Sequence, residues 1–228
     1  MIPTESLSKI EKAYDSPPLW YDIRGFFVLT FAYRSTLWAQ IALFGNNIGA
    51  RHLEGAIGSG TLLGIILGWK KITRHPITAE IVGFDYAPSM LAGAIHRFKT
   101  TPGVRLMQAD VAALDQPDAY FDTANIANAI HCFPDVDAGL VEVCRVLKPG
   151  GRLAVNVLLY PRGPQPFKGI SQKINAWALR KGILYTPYEQ ADIRARIVNA
   201  GFDVESERVA GNTFNVIAVK RATPASSL

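Results

Sequence analysis

The sequence contains little cysteine, little charge and no uninterrupted apolar run long enough to cross a membrane. Only two of its 228 residues are cysteines, and they have neither metal-site spacing nor the density of a disulfide framework. A spanning helix needs about 20 predominantly apolar residues, but Arg34, Ser35, Thr36 and Gln40 interrupt the apolar stretch 26–44. The N-terminus lacks a basic-then-apolar secretory pattern. These absences predict a reducing, cytoplasmic location, no membrane span and no metal.

The composition is apolar and mildly basic. Hydrophobic residues make up 49% of the chain and the formal net charge is +5, which is enough apolar content to exclude general disorder. The length suits one domain, or one domain with an appended cap. The positive charge suggests nucleic acid as a partner, but no basic run or separate RNA-binding module accompanies it. We therefore expect no nucleic-acid partner.

The chain divides into regions with different patterns of predicted secondary structure. Residues 1–48 are predicted to form an N-terminal helical cap, in which 19–44 is helix-like and apolar on most sides. Residues 49–221 alternate strands with helices, which predicts a mostly parallel sheet covered on both faces. The predicted strands are 52–56, 77–84, 104–108, 121–127, 152–160, 202–209 and 213–219; the predicted helices are 61–71, 89–97, 136–147 and 188–199.

Two features mark the C-terminal part. Residues 161–187 contain five Lys or Arg with several turn residues, and we expect an insertion or lid there. The last two predicted strands have hairpin spacing, so the seven-stranded sheet should contain one antiparallel strand. Residues 222–228 form a short polar tail.

Ligand-type residues follow the first three predicted strands. The first strand runs into Glu54-Gly55-Ala56-Ile57-Gly58-Ser59-Gly60, whose glycines allow close backbone approach to a ligand or simply a turn. Asp85 ends the second strand and could accept both hydroxyls of a ribose or cap the next helix. Asp110 follows the third strand and could accept from an exocyclic amine or stabilise a turn. Parallel strands would place all three at one edge of the sheet.

Together these turns resemble the class I S-adenosylmethionine-dependent methyltransferases over roughly residues 51–221. The run Arg145-Val-Leu-Lys-Pro-Gly-Gly-Arg152 is the most specific part and resembles the branch of the ubiquinone and menaquinone biosynthesis methyltransferases. Phe121-Asp122 and the loop 128–131 add to it. The resemblance implies a Rossmann-like fold, S-adenosyl-L-methionine as cofactor and S-adenosyl-L-homocysteine as product.

The resemblance also implies cofactor contacts for the methionine part, the ribose and the adenine. In chain order these contacts are Tyr21, Glu54, Ala56, Gly58, Gly60, Asp85, Tyr86, Met90, Asp110, Val111, Asn128 and Ala129. The Tyr21-Asp22 pair competes with Tyr14-Asp15 for the position in the cap. Two departures from the family pattern are Ala56, where a glycine is expected, and the long spacing from Glu54 to Asp85.

For this class, catalysis is mainly alignment of a nucleophile with an already activated methyl group. His131 is the candidate general base for an OH or NH acceptor, with simple packing as its alternative. The aromatic cap suggests a small, largely apolar or aromatic acceptor methylated on O, N or C. Core packing or a homodimer contact would explain the cap equally well.

Three other functions stay open at this point. A nucleic-acid methyltransferase would usually carry prolines after strand four, and the loop 128–131 has none. A nicotinamide-dependent oxidoreductase would use Gly-x-Gly-x-x-Gly, which the glycines at 58, 60 and 64 miss by one residue. Because Ala56 departs from the family pattern, a protein that binds the cofactor without transferring its methyl group also stays possible.

Overall fold

The computed structural model describes residues 35–180 and 187–222. The elements are α1 (Leu37–Gly45), β1 (Arg51–Gly55), α2 (Thr61–Ile72), β2 (Glu80–Asp85), α3 (Pro88–Phe98), β3 (Val104–Gln108), β4 (Phe121–Ile126), α4 (Val136–Val146), β5 (Leu147–Leu158), α5 (Phe167–Arg180), α6 (Gln190–Asn199), β6 (Phe202–Ala210) and β7 (Thr213–Lys220).

The strands form one sheet of order β3-β2-β1-β4-β5-β7-β6. β1 to β5 pair in parallel, and β7 runs antiparallel to both of its neighbours. This confirms the predicted seven-stranded, mostly parallel sheet with one antiparallel strand. Because β1 lies between β2 and β4, the strand order reverses beside β1, and ligands of such sheets bind outside the carboxyl ends at this point.

Helices cover both faces of the sheet. Alternate residues of β5 enter different clusters, since Leu153 and Val155 pack with α4 and α6, whereas Ala154 packs with α1 and α2. A third cluster joins α2 to α3 through Leu63 and Phe98. Within the described ranges, no helix is long and apolar enough to cross a bilayer.

Several predicted boundaries were wrong. β2 begins at Glu80 rather than at residue 77, because Glu80 is the residue that pairs with the first residue of β1. β5 begins at Leu147 rather than at residue 152, since Leu147 already pairs with Phe121 ahead of an irregularity in the register. α6 begins two residues later than predicted, at Gln190.

The helix predicted over 19–44 is not continuous. Thr36 is extended (φ −96°, ψ 147°) and its hydroxyl accepts from the Ala39 N–H at 3.2 Å, which starts α1 at Leu37. The rest of that prediction, residues 19–34, lies outside the described residues. The non-helical residues Ser35 and Thr36 are among the polar residues noted in the sequence.

Candidate active site

The glycine-rich turn joins β1 to α2 in a left-handed backbone conformation. Gly58 and Gly60 have φ of +60° and +73°. A Cβ at Gly60 would lie 2.5 Å from the Phe98 ring, whereas a Cβ at Gly58 would meet nothing within 4 Å. Gly60 is therefore required by packing, and Gly58 borders open space that a ligand could enter.

Ala56 adopts the same left-handed conformation although it carries a Cβ. Its φ is +51°, a region that costs a non-glycine residue roughly 1–2 kcal/mol. The next residue, Ile57, donates its N–H to the Phe84 carbonyl at 2.9 Å, which fastens the turn to β2. The departure from glycine at position 56 thus leaves the turn in a glycine-like shape at a conformational cost.

Asp85 at the end of β2 holds the glycine-rich turn directly. Its Oδ2 accepts from the Gly58 N–H at 2.7 Å, and its Oδ1 accepts from the Ala87 N–H at 2.9 Å. The residue is only 9% exposed, and burial raises the pKa of its carboxyl group, although the backbone hydrogen bonds oppose the rise. An ionised carboxylate has about four lone-pair sites, so acceptor capacity remains for a ribose.

The end of β3 lies beside the end of β2. The Ala109 N–H donates to the Asp85 carbonyl at 3.2 Å, and the Asp110 carboxylate accepts from the Ala112 N–H at 2.9 Å. Asp110 therefore stabilises its own turn, as the alternative interpretation proposed, and remains partly exposed. Val111 is buried.

The two residues expected at the adenine differ in accessibility. Tyr86 is partly exposed, and its carbonyl accepts from the Gln108 side chain at 3.1 Å. Met90, in the first turn of α3, is 1% exposed and belongs to the apolar core. Contact between Met90 and a ligand would therefore require the surrounding side chains to move.

Glu54 belongs to a buried polar group between β1 and β4. Its Oε1 accepts from Asn125 Nδ2 at 2.8 Å and lies 3.0 Å from His52 Nε2. The other ring nitrogen of His52 is 2.7 Å from the Thr123 hydroxyl. These contacts orient the carboxylate beside the glycine-rich turn.

Three side-chain amides form a chain that begins after β4. The Asn128 N–H donates to Asn156 Oδ1 at 2.6 Å, Asn156 Nδ2 donates to Asn128 Oδ1 at 2.7 Å, and Asn128 Nδ2 donates to Gln40 Oε1 at 3.0 Å. Because the first donor is backbone, it sets the orientation of all three amides. Gln40 Nε2 is then left as a buried donor that bonds to no described residue.

His131 lies in a short 3-10 turn, Ile130–Cys132, after β4. It is 6% exposed, and burial lowers the pKa of its imidazole to about 3. The ring is therefore neutral at physiological pH, and it is a weak proton acceptor. The neighbouring Ala129 is also buried.

Several residues that shape this edge were missed in the sequence. Asn125 and Asn156 are flanked by apolar residues near the carboxyl ends of β4 and β5, a signal that sequence reasoning could have used. Arg97 on α3 donates to the Ser59 carbonyl at 3.1 Å and to the Thr61 hydroxyl at 2.8 Å, so it braces the glycine-rich turn. A lone arginine on a helix gives no such indication. Tyr21 lies outside the described residues.

The residues present fit an adenosyl cofactor. Gly58 borders open space, a carboxylate with spare acceptor sites stands at the end of β2, and a second partly exposed carboxylate follows β3. Ribose hydroxyls and an exocyclic amine are hydrogen-bond donors, which is the complement that two carboxylates require. The arrangement also agrees with ligand binding at the reversal of strand order.

Comparison with known proteins decides the family. A methyltransferase-domain family model matches residues 56–155. The chain is 36% identical over 160 residues to a demethylmenaquinone methyltransferase of Thermus thermophilus, covering 62% of the chain and 70% of the relative. It belongs to the class I S-adenosylmethionine-dependent methyltransferases. Within them it belongs to the ubiquinone/menaquinone branch, as the Arg145–Arg152 run suggested.

A second relative agrees with this assignment, and two solved structures share the fold. The ubiquinone/menaquinone biosynthesis C-methyltransferase of Chromobacterium violaceum is 32% identical over 154 residues, which cover 67% of the chain and 61% of the relative. A methyltransferase of Aquifex aeolicus superposes with a TM-score of 0.61 at 19% identity, covering 93% of this chain and 97% of the other. The [4+2]-cyclase SpnF gives 0.63 at 17%, covering 81% and 82%. The two structures show a shared fold.

Proposed function

We propose that this methyltransferase transfers the methyl group of S-adenosylmethionine to a ring carbon of a small, apolar hydroquinone. The observation that carries the proposal is the 36% identity to a demethylmenaquinone methyltransferase across 70% of that protein. The ordered carboxyl edge of the sheet, with Asp85 bonded to the glycine-rich turn, supports use of the cofactor. The predicted cytoplasmic location remains a prediction.

The cofactor would be held by residues from four adjacent strand ends. Asp85 would accept from the ribose hydroxyls, Gly58 would let the cofactor approach the backbone, and Asp110 with Val111 would contact the adenine. Glu54, fixed by Asn125, would face the methionine end. Asn128 and Ala129 would lie on the sulfonium side, and Tyr21 keeps its predicted role in the cap.

When bound, the cofactor supplies an electrophilic methyl group on a positively charged sulfur. A hydroquinone hydroxyl would donate electron density to the neighbouring ring carbon, which would take the methyl group with S-adenosylhomocysteine as the leaving group. The ring proton would then pass to solvent water, which would restore the aromatic ring. The protein contributes by holding the two reactants in line, an effect that can supply roughly 7–11 kcal/mol.

The burial of His131 argues against a large contribution from it as general base. A general base would activate the ring carbon by taking the proton of the neighbouring hydroxyl, but moving a proton from a phenol-like hydroxyl to an imidazole whose pKa is about 3 is uphill by about 10 kcal/mol. General-base catalysis supplies about 10²–10⁴-fold, or about 3–5 kcal/mol. We therefore propose that His131 shapes the loop after β4 and that placement dominates the rate.

The proposal is tested by methyl transfer from isotope-labelled cofactor to a naphthohydroquinone under reducing conditions. We expect a product one methyl heavier, with the label on a ring carbon. The matched control is the same hydroquinone with that ring position already methylated, which should not react. Phenols, amines and RNA serve as competing acceptors.

Each outcome has a distinct meaning. Preferred transfer to RNA would favour a nucleic-acid methyltransferase, and preferred transfer to amines would contradict carbon methylation. Tight cofactor binding by calorimetry without transfer to any acceptor would instead support a cofactor-binding protein that does not methylate.

A further inference from the structure

Helix α5 turns a polar face to the protein and an apolar, cationic face to solvent. Its buried residues are Ser171, Asn175 and Ala178, which recur on one helix face. The opposite face carries, at spacings of three, four and three residues, Ile170, Lys173, Trp177 and Arg180. Helix α4 has the usual arrangement, with Leu140 and Val143 buried. The polarity of α5 is thus inverted.

The polar inner face of α5 has a local cause. Asn212, in the turn between β6 and β7, is fully buried and donates its Nδ2 to the Ser171 hydroxyl at 3.1 Å. The same side chain accepts from the Arg162 N–H at 2.9 Å. Asn212 therefore fixes both the start of the insertion and the rotation of α5, and this rotation directs the apolar side chains outward.

The outward side chains form a patch of apolar surface. Phe167, Ile170 and Leu179 are 52%, 42% and 43% exposed. Single exposed apolar residues are ordinary in folded proteins. Phe167 and Ile170 lie one turn apart on one side of this 14-residue helix, and the half-buried Trp177 lies two turns further along the same side. These three form the kind of patch that marks an interaction surface, whereas Leu179, nine residues from Ile170, lies on the other side of the helix.

The charge of the insertion has one sign. Residues 161–187 contain five Lys or Arg and no Asp or Glu. Lys168, Lys173 and Arg180 form no ion pair with any described residue. Several exposed arginines elsewhere in the described residues are paired with carboxylates, as in Arg152–Glu205, Arg194–Glu207 and Arg221–Asp203.

The insertion leaves and rejoins the fold at the edge of the sheet that carries the cofactor site. It starts after the carboxyl end of β5, and the Tyr188 N–H donates to the Leu158 carbonyl at 3.0 Å. The Tyr160 N–H in turn donates to the Tyr188 carbonyl at 3.1 Å. An occupant of the outer face of α5 would therefore lie at the edge of the sheet through which an acceptor reaches the methyl group.

We propose that α5 docks on the surface of an anionic lipid bilayer. A helix with apolar side chains and several cations, without acidic residues, lies in the membrane interface, where negative headgroups attract the cations and Trp is a favoured residue. The proposal rests on the proposed function in one respect: an apolar hydroquinone dissolves in the bilayer, and docking would place the active site at its source.

The test is cosedimentation of the full chain with vesicles that contain no acceptor. We expect binding to phosphatidylcholine mixed with phosphatidylglycerol, little binding to phosphatidylcholine alone, and loss of binding as salt is raised. Removing one interfacial cation weakens binding about fivefold, so Lys168, Lys173 and Arg180 all changed to Gln should weaken it about a hundredfold. Ile170→Ser should cost about tenfold.

The matched control changes three other exposed cations to Gln: Lys71, Arg74 and Lys99, at or just beyond the C-terminal ends of α2 and α3. Both triple variants lose the same net charge. Equal weakening by the two would show that only net charge matters and would overturn the proposal. Failure of the unchanged protein to bind anionic vesicles would also overturn it.

Two further measurements separate this proposal from the others. A shift in oligomeric state on changing the α5 cations would show that the face pairs with a second copy and would refute bilayer docking. Cofactor affinity and methylation of a water-soluble hydroquinone should stay unchanged in the α5 variants. Because the vesicles hold no acceptor, the binding test and the methyl-transfer test are independent. Failure of docking therefore leaves the proposed methyl transfer intact, and failure of methyl transfer leaves docking intact.

Discussion

Asp85→Asn should weaken cofactor binding and remove its dependence on pH. In the protein, both carboxylate oxygens accept backbone N–H groups, from Gly58 at 2.7 Å and from Ala87 at 2.9 Å. An amide keeps one acceptor and turns an NH₂ group toward the other N–H. The ribose hydroxyls lose a charged acceptor at the same time. Hydrogen bonds to charged groups contribute about 1.5–3 kcal/mol, so the dissociation constant should rise about ten- to a hundredfold.

The pH dependence follows from the burial of this carboxyl group. Burial raises the pKa of Asp85 above its ordinary value of 3.8, and hydroxyl donors on a bound ribose favour the ionised form. Affinity should therefore fall as the pH falls toward the raised pKa. Stability should change in the opposite direction: the cost of burying the ionised carboxylate is present above the raised pKa and is relieved between that pKa and 3.8.

Calorimetric titration with S-adenosylhomocysteine from neutral to mildly acidic pH measures the affinity. Thermal unfolding of the unchanged protein and of Asp85→Asn over the same pH range measures the difference in stability. Asp115→Asn is the matched control, because Asp115 is exposed in the loop between β3 and β4 and the charge change is identical. An unchanged dissociation constant, or a pH dependence that persists in Asp85→Asn, would show that Asp85 does not hold the cofactor.

Three further predictions concern the turn and the loop after β4. Ala56→Gly should raise the unfolding free energy by up to about 1 kcal/mol, since relief of the left-handed strain exceeds the entropy cost of glycine; a loss of stability in denaturant melts would contradict this. His131→Gln should lower turnover less than tenfold without changing the pH–rate profile. A larger loss of turnover together with a changed pH–rate profile would show that His131 acts as a general base. Asn156→Leu should cost about 2–5 kcal/mol in chemical denaturation, because it leaves the Asn128 N–H and Oδ1 unpaired; a cost below about 1 kcal/mol would show that the amide chain carries little stability.

Local sequence signals predicted most of the strands and helices because each signal acts over a few residues. The apolar run of β5 and the glycine stop in Arg145–Arg152 needed no tertiary information. Boundaries failed where a distant partner decides them. β2 starts at Glu80 because β1 starts at Arg51, and β5 starts at Leu147 because Phe121 lies beside it.

The candidate site divides in the same way. The sequence by itself determined that a glycine-rich turn and two acids meet at one edge, since parallel strands place their carboxyl ends together. It left open whether the glycines serve a ligand or simply a turn, and the tertiary structure added that Gly60 is required by packing, because a Cβ at that position would lie 2.5 Å from the Phe98 ring. It also left His131 as a candidate base, and burial, a property of the whole fold, lowered the pKa of that imidazole to about 3.

The orientation of α5 is a further property that the sequence alone does not determine. The sequence determined that residues 161–187 carry cations without acids. Only the tertiary structure decided which way those residues face, because the rotation of α5 depends on Asn212, 41 residues from Ser171 along the chain. Composition and short-range pattern fix which groups a segment can present, whereas contacts between distant residues fix the direction in which it presents them.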